Sequence, residues 1–192
     1  MAKMTFVLGG ARSGKSAFAE GLARRYNNVV YIATAEVKDD EMRERIQIHR
    51  ARRPFNWKTI EVPFHVDRVI SNLNEKAGVV YIDCITLYIT NMLLDDNAAN
   101  PAGGADRQRE VLKQKQSQIL DEINKLCKVC RESKSDVIIV SNEVGLGIVP
   151  DNALSRVFRD IAGSANQIIA DEADEVYFMV AGIAQRIKET TV

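Results

Sequence analysis

A glycine-rich octapeptide at residues 9–16, Gly-Gly-Ala-Arg-Ser-Gly-Lys-Ser, directly follows an apolar run at residues 4–8. This phosphate loop matches the pattern G-x-x-x-x-G-K-[ST] at every specified position, and in such a loop backbone N–H groups surround phosphate oxygens. Lys15 would reach the outer phosphates, and the Ser16 hydroxyl is suited to ligating the magnesium ion that accompanies a nucleotide. The octapeptide therefore predicts a nucleotide-binding loop, with an ordinary glycine-rich turn as the alternative.

Apolar runs of strand length alternate with helical segments along the rest of the chain. Phe18, Leu22 and Tyr26 recur at four-residue spacing, so the phosphate loop leads into an amphipathic helix whose N-terminus favours anions. Near-continuous apolar runs are typical of strands buried on both faces of a parallel sheet. The predicted strands are residues 4–8, 29–33, 57–62, 79–83, 137–141, 176–180 and 183–187, the last two forming a hairpin. The predicted helices are residues 15–26, 39–51, 65–74, 87–94, 106–133 and a segment that includes 156–163.

These elements predict one α/β domain over residues 1–192, a three-layer P-loop NTPase fold of the RecA-like kind with a mainly parallel sheet and an antiparallel edge hairpin. The segment 95–104 has loop composition and fits a helix cap or a mobile lid better than a linker between domains. The 26 basic residues balance the 26 acidic residues, which argues against a broad nucleic-acid-binding surface. No stretch resembles a signal peptide or a membrane-spanning helix, so we expect a cytoplasmic protein that binds no membrane.

The three cysteines do not indicate a metal or redox centre. Cys127 and Cys130 have the C-x-x-C spacing, but both fall on the apolar stripe of the helix predicted at 106–133, and the sequence has no second pair of ligands. Together with Cys84 they fit a reducing compartment. We therefore interpret the pair as packing residues.

Two predicted strands end in polar residues. Asp83 closes the apolar run at 79–82 and would lie at the carboxyl edge of the sheet, where it can hold Mg²⁺, although acids at this position also serve as helix caps. Asn142 and Glu143 follow the strand at 137–141 and begin a loop with two glycines. This loop is a candidate substrate loop that would meet a hydroxyl or a metal-bound water, and a plain strand-to-helix turn is the alternative.

The segment 39–53 begins with acids and ends with bases, as a solvated helix with a favourable macrodipole would. His49, one of two histidines, is surrounded by more cations than the dipole needs, namely the arginines at positions 45, 50, 52 and 53. Guanidinium groups would keep His49 neutral and nucleophilic, and would neutralise a phosphate that it attacks. Because His49 shares a helical face with Met42 and Ile46, a packing role is the alternative.

Together these segments resemble the bifunctional adenosylcobinamide kinase/adenosylcobinamide-phosphate guanylyltransferase family of cobalamin biosynthesis, and the likeness runs from end to end. Many nucleotide enzymes share the phosphate loop, whereas the segment around His49 and the Asn142-Glu143 loop are far more particular to this family. The matching segments are residues 8–16, 31–34, 39–49, 52–54, Trp57, Glu61, 141–150 and 158–163.

The resemblance implies that His49 carries a covalent GMP, with Lys15 as a second catalytic residue and Mg²⁺ accompanying GTP or ATP at Ser16 and Asp83. The implied reactions are phosphorylation of the aminopropanol hydroxyl of adenosylcobinamide and transfer of GMP from GTP to give adenosylcobinamide-GDP. A homo-oligomer, a trimer, is also implied. The implied nucleotide contacts are Gly9, Gly10, Ala11, Arg12, Ser13, Gly14, Lys15, Ser16, Ala33, Thr34, Ala35, Arg50, Ala51, Arg52, Arg53, Glu61 and Asp83.

Two other functional classes stay open at this point. One is a different small-molecule kinase on the same scaffold, which would form no covalent nucleotide adduct. The other is a RecA-like binding protein that is switched by nucleotide hydrolysis.

Overall fold

The computed structural model describes residues 2–36, 40–73, 77–95 and 104–190, except for the side chains of residues 41, 42, 45, 49, 52 and 104–106. The described residues form seven strands: β1 (Met4–Gly9), β2 (Val29–Ala33), β3 (Lys58–Glu61), β4 (Val79–Asp83), β5 (Asp136–Asn142), β6 (Glu175–Val180) and β7 (Ile183–Glu189). They also form six helices: α1 (Lys15–Ala23), α2 (Asp40–Arg52), α3 (Val66–Ser71), α4 (Ile85–Leu93), α5 (Gly104–Glu132) and α6 (Ala153–Glu172).

All seven strands belong to one sheet in the order β3-β2-β4-β5-β1-β6-β7. Neighbouring strands are parallel throughout, except that β7 runs antiparallel to β6 at one edge. The predicted mainly parallel α/β fold with an antiparallel edge hairpin is therefore confirmed. The carboxyl ends of the parallel strands meet at a single edge, and this edge carries the phosphate loop, Ala33, Asp83 and Asn142.

Helices cover both faces of the sheet and give the fold its three layers. In β2, Val30 and Ile32 belong to the core cluster built with α3, α4, α5 and α6, whereas Val29 and Tyr31 belong to the cluster built with α1. This alternation follows from the two-residue period of a strand. Because both faces of β1, β2, β4 and β5 are buried, these strands need apolar residues at nearly every position, which is why they appear as continuous apolar runs in the sequence.

Several element ends differ from the predicted ones. Helix α1 ends at Ala23 rather than at residue 26, because Tyr26 leaves the helix and donates a hydrogen bond from its hydroxyl to Asp136. Helix α6 is longer than predicted, since its buried stripe continues through Ile169. Helix α5 already begins at Gly104, and the interpretation of the preceding segment as a cap or lid falls mostly on residues 96–103, outside those described.

The thiols of Cys127 and Cys130 are buried in the larger core cluster. Burial raises the pKa of the Cys127 thiol to about 12 and moves the pKa of Cys130 further above its usual value. Both side chains therefore remain protonated apolar packing groups at neutral pH. None of the described helices is both long and apolar enough to cross a membrane.

Candidate nucleotide-binding and transfer site

The phosphate loop connects the end of β1 to the start of α1 and holds its lysine inside. Gly14 adopts a φ of 96° just before α1, a conformation that favours glycine. The Lys15 ammonium donates a hydrogen bond to the Gly10 carbonyl oxygen at 2.7 Å, and only 7% of the residue is exposed. Burial lowers the pKa of Lys15, while Cys84 and Asp83 act in the opposite direction. A positive charge sheltered from water in this way attracts a phosphate strongly.

The turn of the β6–β7 hairpin packs against the phosphate loop. The Gly182 N–H donates a hydrogen bond to the Ser13 carbonyl oxygen at 2.9 Å. A Cβ added at Gly9 would lie 2.7 Å from the Met179 carbonyl oxygen, and one added at Gly14 would lie 3.1 Å from the Gly182 Cα. Strand β6 and the turn of the hairpin can approach the loop this closely only because positions 9 and 14 lack side chains. The hairpin therefore helps to fix the shape of the loop.

A cavity of about 510 Å³ lies beside the phosphate loop. Its walls come from the loop, from the ends of β2, β4 and β5, and from α2, where Ile46 and Ile48 supply an apolar surface. Asn142 at the end of β5 also lines it. The predicted nucleotide contacts that line this nucleotide cavity are Ala11, Arg12, Lys15, Ser16, Ala33, Ala35, Arg53, Glu61 and Asp83.

Asp83 is held in the nucleotide cavity by a tyrosine of the neighbouring strand. Ala33 of β2 pairs with Asp83 of β4, and the Tyr31 hydroxyl donates a hydrogen bond to Asp83 Oδ2 at 2.7 Å. Burial, followed by the Asp83 charge, raises the pKa of Tyr31 far above its usual value, so the hydroxyl remains a donor at any physiological pH. The carboxylate is therefore oriented by a donor that stays protonated.

Thr34 supports the site from within the protein instead of lining the nucleotide cavity. It is completely buried, and its Oγ1 donates to the Cys84 carbonyl oxygen at 2.7 Å and accepts from the Cys84 N–H at 2.8 Å. Asn91 donates to the Thr34 carbonyl oxygen at 2.7 Å. These bonds join the ends of β2 and β4, so the predicted contact of Thr34 with nucleotide does not extend to its side chain.

An adjoining cleft of about 560 Å³ shares Arg53 and Glu61 with the nucleotide cavity. Arg50 lines this cleft and forms an ion pair with Glu61, so both predicted contacts lie at its surface. The backbone of His49 belongs to α2, directly before Arg50. Its side chain, like that of Arg52, lies outside the described residues, and the exposed Ala51 lines neither the cavity nor the cleft.

The structure separates the two residues of the candidate substrate loop. Asn142 lines the nucleotide cavity and donates from Nδ2 to Thr86 Oγ1 at 2.8 Å. Glu143 instead bends back on its own loop, where its carboxylate accepts a hydrogen bond from the Gly145 N–H. The Glu143 N–H donates to the Gly9 carbonyl oxygen at 2.9 Å, which ties this loop to the phosphate loop. Asn142 is thus available to a ligand, while Glu143 shapes the turn.

Two arginines of α6 have structural partners. Arg156 donates to the carbonyl oxygens of Pro150 and Asp151, at 2.9 and 2.6 Å, and so holds the loop that precedes the helix. Arg159 pairs with Asp160 at 3.4 Å. Arg159 therefore has an acidic partner on its own helix.

Sequence reasoning missed the aromatic cluster beneath the nucleotide cavity. Tyr31 stacks on Trp57 with ring centroids 6.3 Å apart and meets Tyr81 edge to face at 4.9 Å. The guanidinium carbon of Arg53 lies 3.6 Å from the centre of the Tyr31 ring. The available signal was a tyrosine in two otherwise aliphatic strands, but only the pairing of β2 with β4 shows that these residues meet.

Comparison with known proteins agrees with this architecture. The profile of the family described as "Cobinamide kinase / cobinamide phosphate guanyltransferase" matches residues 5–187. The bifunctional adenosylcobalamin biosynthesis proteins CobU of Escherichia coli K12 and of Salmonella typhimurium LT2 are each 43% identical to this chain over 185 residues, which is 96% of this chain and 99% of each relative. A Pyrococcus horikoshii OT3 structure shares the fold alone, with a TM-score of 0.52 and 6% identity over 98% of this chain and 87% of that chain.

The family profile covers nearly the whole chain, and the relatives match it over nearly their full length. The phosphate loop and the strand-end residues of the nucleotide cavity lie within the matched range. This chain therefore belongs to the cobinamide kinase / cobinamide phosphate guanyltransferase family.

Proposed function

We propose that this chain phosphorylates the aminopropanol hydroxyl of adenosylcobinamide with ATP or GTP, and then transfers GMP from GTP through a histidine–GMP intermediate to give adenosylcobinamide-GDP. Family membership supports the two reactions. The observation that carries the proposal is the convergence of the phosphate loop, Asp83, Arg53 and two residues of α2 on one nucleotide cavity. A triphosphate in this cavity would have its phosphates at the loop and would extend toward the helix that contains His49.

In the kinase step, the loop N–H groups and the Lys15 ammonium would bind the outer phosphates, and Lys15 would exchange the Gly10 carbonyl for a phosphate oxygen. The Ser16 hydroxyl and the Asp83 carboxylate both line the nucleotide cavity and are oxygen donors of the kind that Mg²⁺ prefers, so these residues fit the ion. Mg²⁺ bound there would neutralise charge on the transferred phosphoryl group. The protein's own part is to orient the triphosphate and to exclude water.

In the transfer step, a neutral ring nitrogen of His49 would attack the α-phosphorus of GTP. A phosphorus–nitrogen bond forms, the bond to the β-phosphate bridge breaks, and pyrophosphate leaves with the electron pair. A phosphate oxygen of the phosphorylated cobinamide then attacks the same phosphorus, and the imidazole leaves. Arg53 in the nucleotide cavity and Arg50 in the adjoining cleft would balance the negative charge during both displacements.

The corrinoid substrate, which accepts the phosphoryl group and then GMP, would enter from the side of the loop that follows β5. Asn142 lines the nucleotide cavity, and the loop beyond it exposes the apolar side chains of Leu146, Ile148 and Val149. A large corrinoid with an apolar ring edge needs such a surface in addition to the phosphate site. The family resemblance further supports a homo-oligomer, a trimer, working in the cytoplasm, and a neighbouring subunit would then enlarge the acceptor site.

Product analysis tests this proposal. The protein is incubated with Mg²⁺ and adenosylcobinamide, first with ATP alone and then with GTP. The corrinoid products are separated, and their masses are determined by mass spectrometry. We expect the phosphate with ATP and the GDP derivative after GTP is added. Phosphorylation without any guanylylated product would favour a different small-molecule kinase, and nucleotide hydrolysis that ignores the corrinoid would favour a switched binding protein.

A further inference from the structure

Tyr31 contacts two residues of the candidate site, Asp83 and Arg53, through two different parts of its side chain. Its hydroxyl donates to Asp83 Oδ2 at 2.7 Å. The face of its ring lies 3.6 Å from the guanidinium carbon of Arg53, one residue beyond the end of α2. Tyr31 itself is only 2% exposed, and its ring is fixed by Tyr81 and Trp57. Tyr31 therefore forms a rigid connection between a carboxylate and a cation that both line the nucleotide cavity.

The hydroxyl contact restricts the Asp83 carboxylate. Hydrogen bonds to an ionised acceptor are stronger than those between neutral groups, and this one is short and partly buried. It engages the Oδ2 atom of a carboxylate that also lines the nucleotide cavity. Without it, Asp83 can rotate about its own side-chain bonds, and a carboxylate that must be ordered before it acts is less effective.

The ring contact restricts Arg53. A guanidinium group stacked on an aromatic face at this distance gains a cation–π interaction, which grows as water is excluded. Arg53 closely follows α2, so holding this guanidinium also holds the carboxyl end of the helix that contains His49. The stacked guanidinium stays directed into the nucleotide cavity, where an anionic ligand would meet it.

We propose that Tyr31 is a positioning residue that serves both nucleotide reactions, its hydroxyl orienting Asp83 and its ring docking Arg53 and the end of α2. This inference rests on the proposed function for its kinetic part. Its binding part concerns only the affinity for GTP and can be tested whether or not the corrinoid reactions occur. The two contacts use different atoms of one side chain, so substitutions can remove them one at a time.

Three variants and one control separate the contacts. Tyr31→Phe removes only the hydroxyl, Tyr31→Leu removes both contacts, and Arg53→Ala removes the ring contact from the other side. Tyr26→Phe is the matched control, because the Tyr26 hydroxyl donates to Asp136 Oδ2 at 2.8 Å but Tyr26 does not line the nucleotide cavity. Thermal unfolding of each variant identifies any that are too unstable to compare.

The first readout is GTP binding in the presence of EDTA, followed by the fluorescence of Trp57, the single tryptophan of the chain, which stacks on Tyr31. We expect Tyr31→Phe and Tyr26→Phe to bind GTP like the wild type, and Tyr31→Leu and Arg53→Ala to bind it about fivefold more weakly. Equal affinity of Arg53→Ala and the wild type would overturn the docking role of the ring, even if Tyr31→Leu does not fold.

The second readout is steady-state phosphorylation at varied Mg²⁺ concentration. We expect Tyr31→Phe to lower kcat about tenfold and to raise the Mg²⁺ concentration for half-maximal rate, with KM for the nucleotide unchanged and Tyr26→Phe behaving like the wild type. The double variant Tyr31→Phe/Asp83→Asn should be no slower than Asp83→Asn alone. Wild-type rates and Mg²⁺ dependence in Tyr31→Phe would overturn the orienting role. If the wild type does not phosphorylate adenosylcobinamide, the proposed function fails. The GTP-binding measurements in EDTA would still test whether the Tyr31 ring docks Arg53.

Discussion

Lys15 brings a positive charge into a largely buried position, where its ammonium donates a hydrogen bond to the Gly10 carbonyl oxygen of its own loop. The charge is poorly solvated there, as the lowered pKa indicates, and a phosphate oxygen would replace the Gly10 carbonyl as its partner. The protein thus holds the Lys15 ammonium in position through a contact within the loop, ready for the phosphate that we propose it binds. This arrangement avoids the cost of reordering a long, flexible side chain during the reaction.

Lys15→Ala should reduce phosphorylation and guanylyl transfer alike, each by about a hundredfold in kcat/KM, because one loop is expected to serve both nucleotide reactions. Rates of both reactions are measured beside Lys125→Ala, in which an exposed lysine paired with Glu122 is removed. Loss of only one activity would indicate a second nucleotide site elsewhere.

Among the structural elements, the phosphate loop and the β6–β7 hairpin pack directly against each other. Gly9 approaches the Met179 carbonyl oxygen so closely that a Cβ at position 9 would lie 2.7 Å from it. Gly9→Ala should therefore displace the loop, destabilise the protein by about 1–3 kcal/mol and weaken GTP binding.

Gly21→Ala is the matched control for this substitution, since a Cβ at position 21 meets no atom within 4 Å and lies in α1. It should stabilise the protein by about 0.5–1 kcal/mol. Urea unfolding and GTP titration of both variants give the comparison. Equal stability of the two variants would show that the hairpin does not constrain the loop.

Asp174 joins three elements at the opposite end of β1. It accepts a hydrogen bond from the Met4 N–H at 2.7 Å and two from Arg131 of α5, at 3.0 and 2.9 Å. Burial alone would raise the pKa of Asp174, but these donors outweigh it and hold the pKa below its usual value. The stabilisation is therefore present above the unfolded-state pKa of about 3.9 and is lost as the pH falls through the lower folded-state pKa.

Asp174→Asn should consequently lower the free energy of unfolding by about 1–3 kcal/mol at pH 7, and the difference from the wild type should shrink under acidic conditions. Urea unfolding from pH 7 down to pH 3 measures it. A difference that is independent of pH would mean that the charge of Asp174 contributes nothing.

At the scale of the whole molecule, local patterns sufficed for the parts of the fold that depend on few neighbours. The phosphate loop follows from the spacing of its glycines and Lys15, and the buried strands follow from their continuous apolar runs. Asp83 and Asn142 were placed at the ligand-binding edge because parallel strands share that edge. The mainly parallel sheet with its antiparallel hairpin required no more than these signals.

The remaining features depend on which strands become neighbours, and periodicity carries no information on strand order. Tyr31 acquires a role only because β2 pairs with β4 and brings it beside Asp83. For the same reason Thr34 was expected at the ligand, whereas its hydroxyl is used up by the backbone of Cys84. Glu143 was likewise expected to meet a hydroxyl or a metal-bound water, whereas its carboxylate accepts a hydrogen bond from the Gly145 N–H of its own loop.

The central claim is that one nucleotide cavity serves two reactions, the second through a covalent nucleotide on His49. Incubation with GTP labelled at the α-phosphate, without corrinoid, tests it most directly, and the chain offers its other histidine, His65, as a control. The wild type and His65→Ala should acquire an acid-labile, base-stable label and release pyrophosphate, while His49→Ala should acquire none and still phosphorylate adenosylcobinamide. Undiminished labelling of His49→Ala would contradict the account.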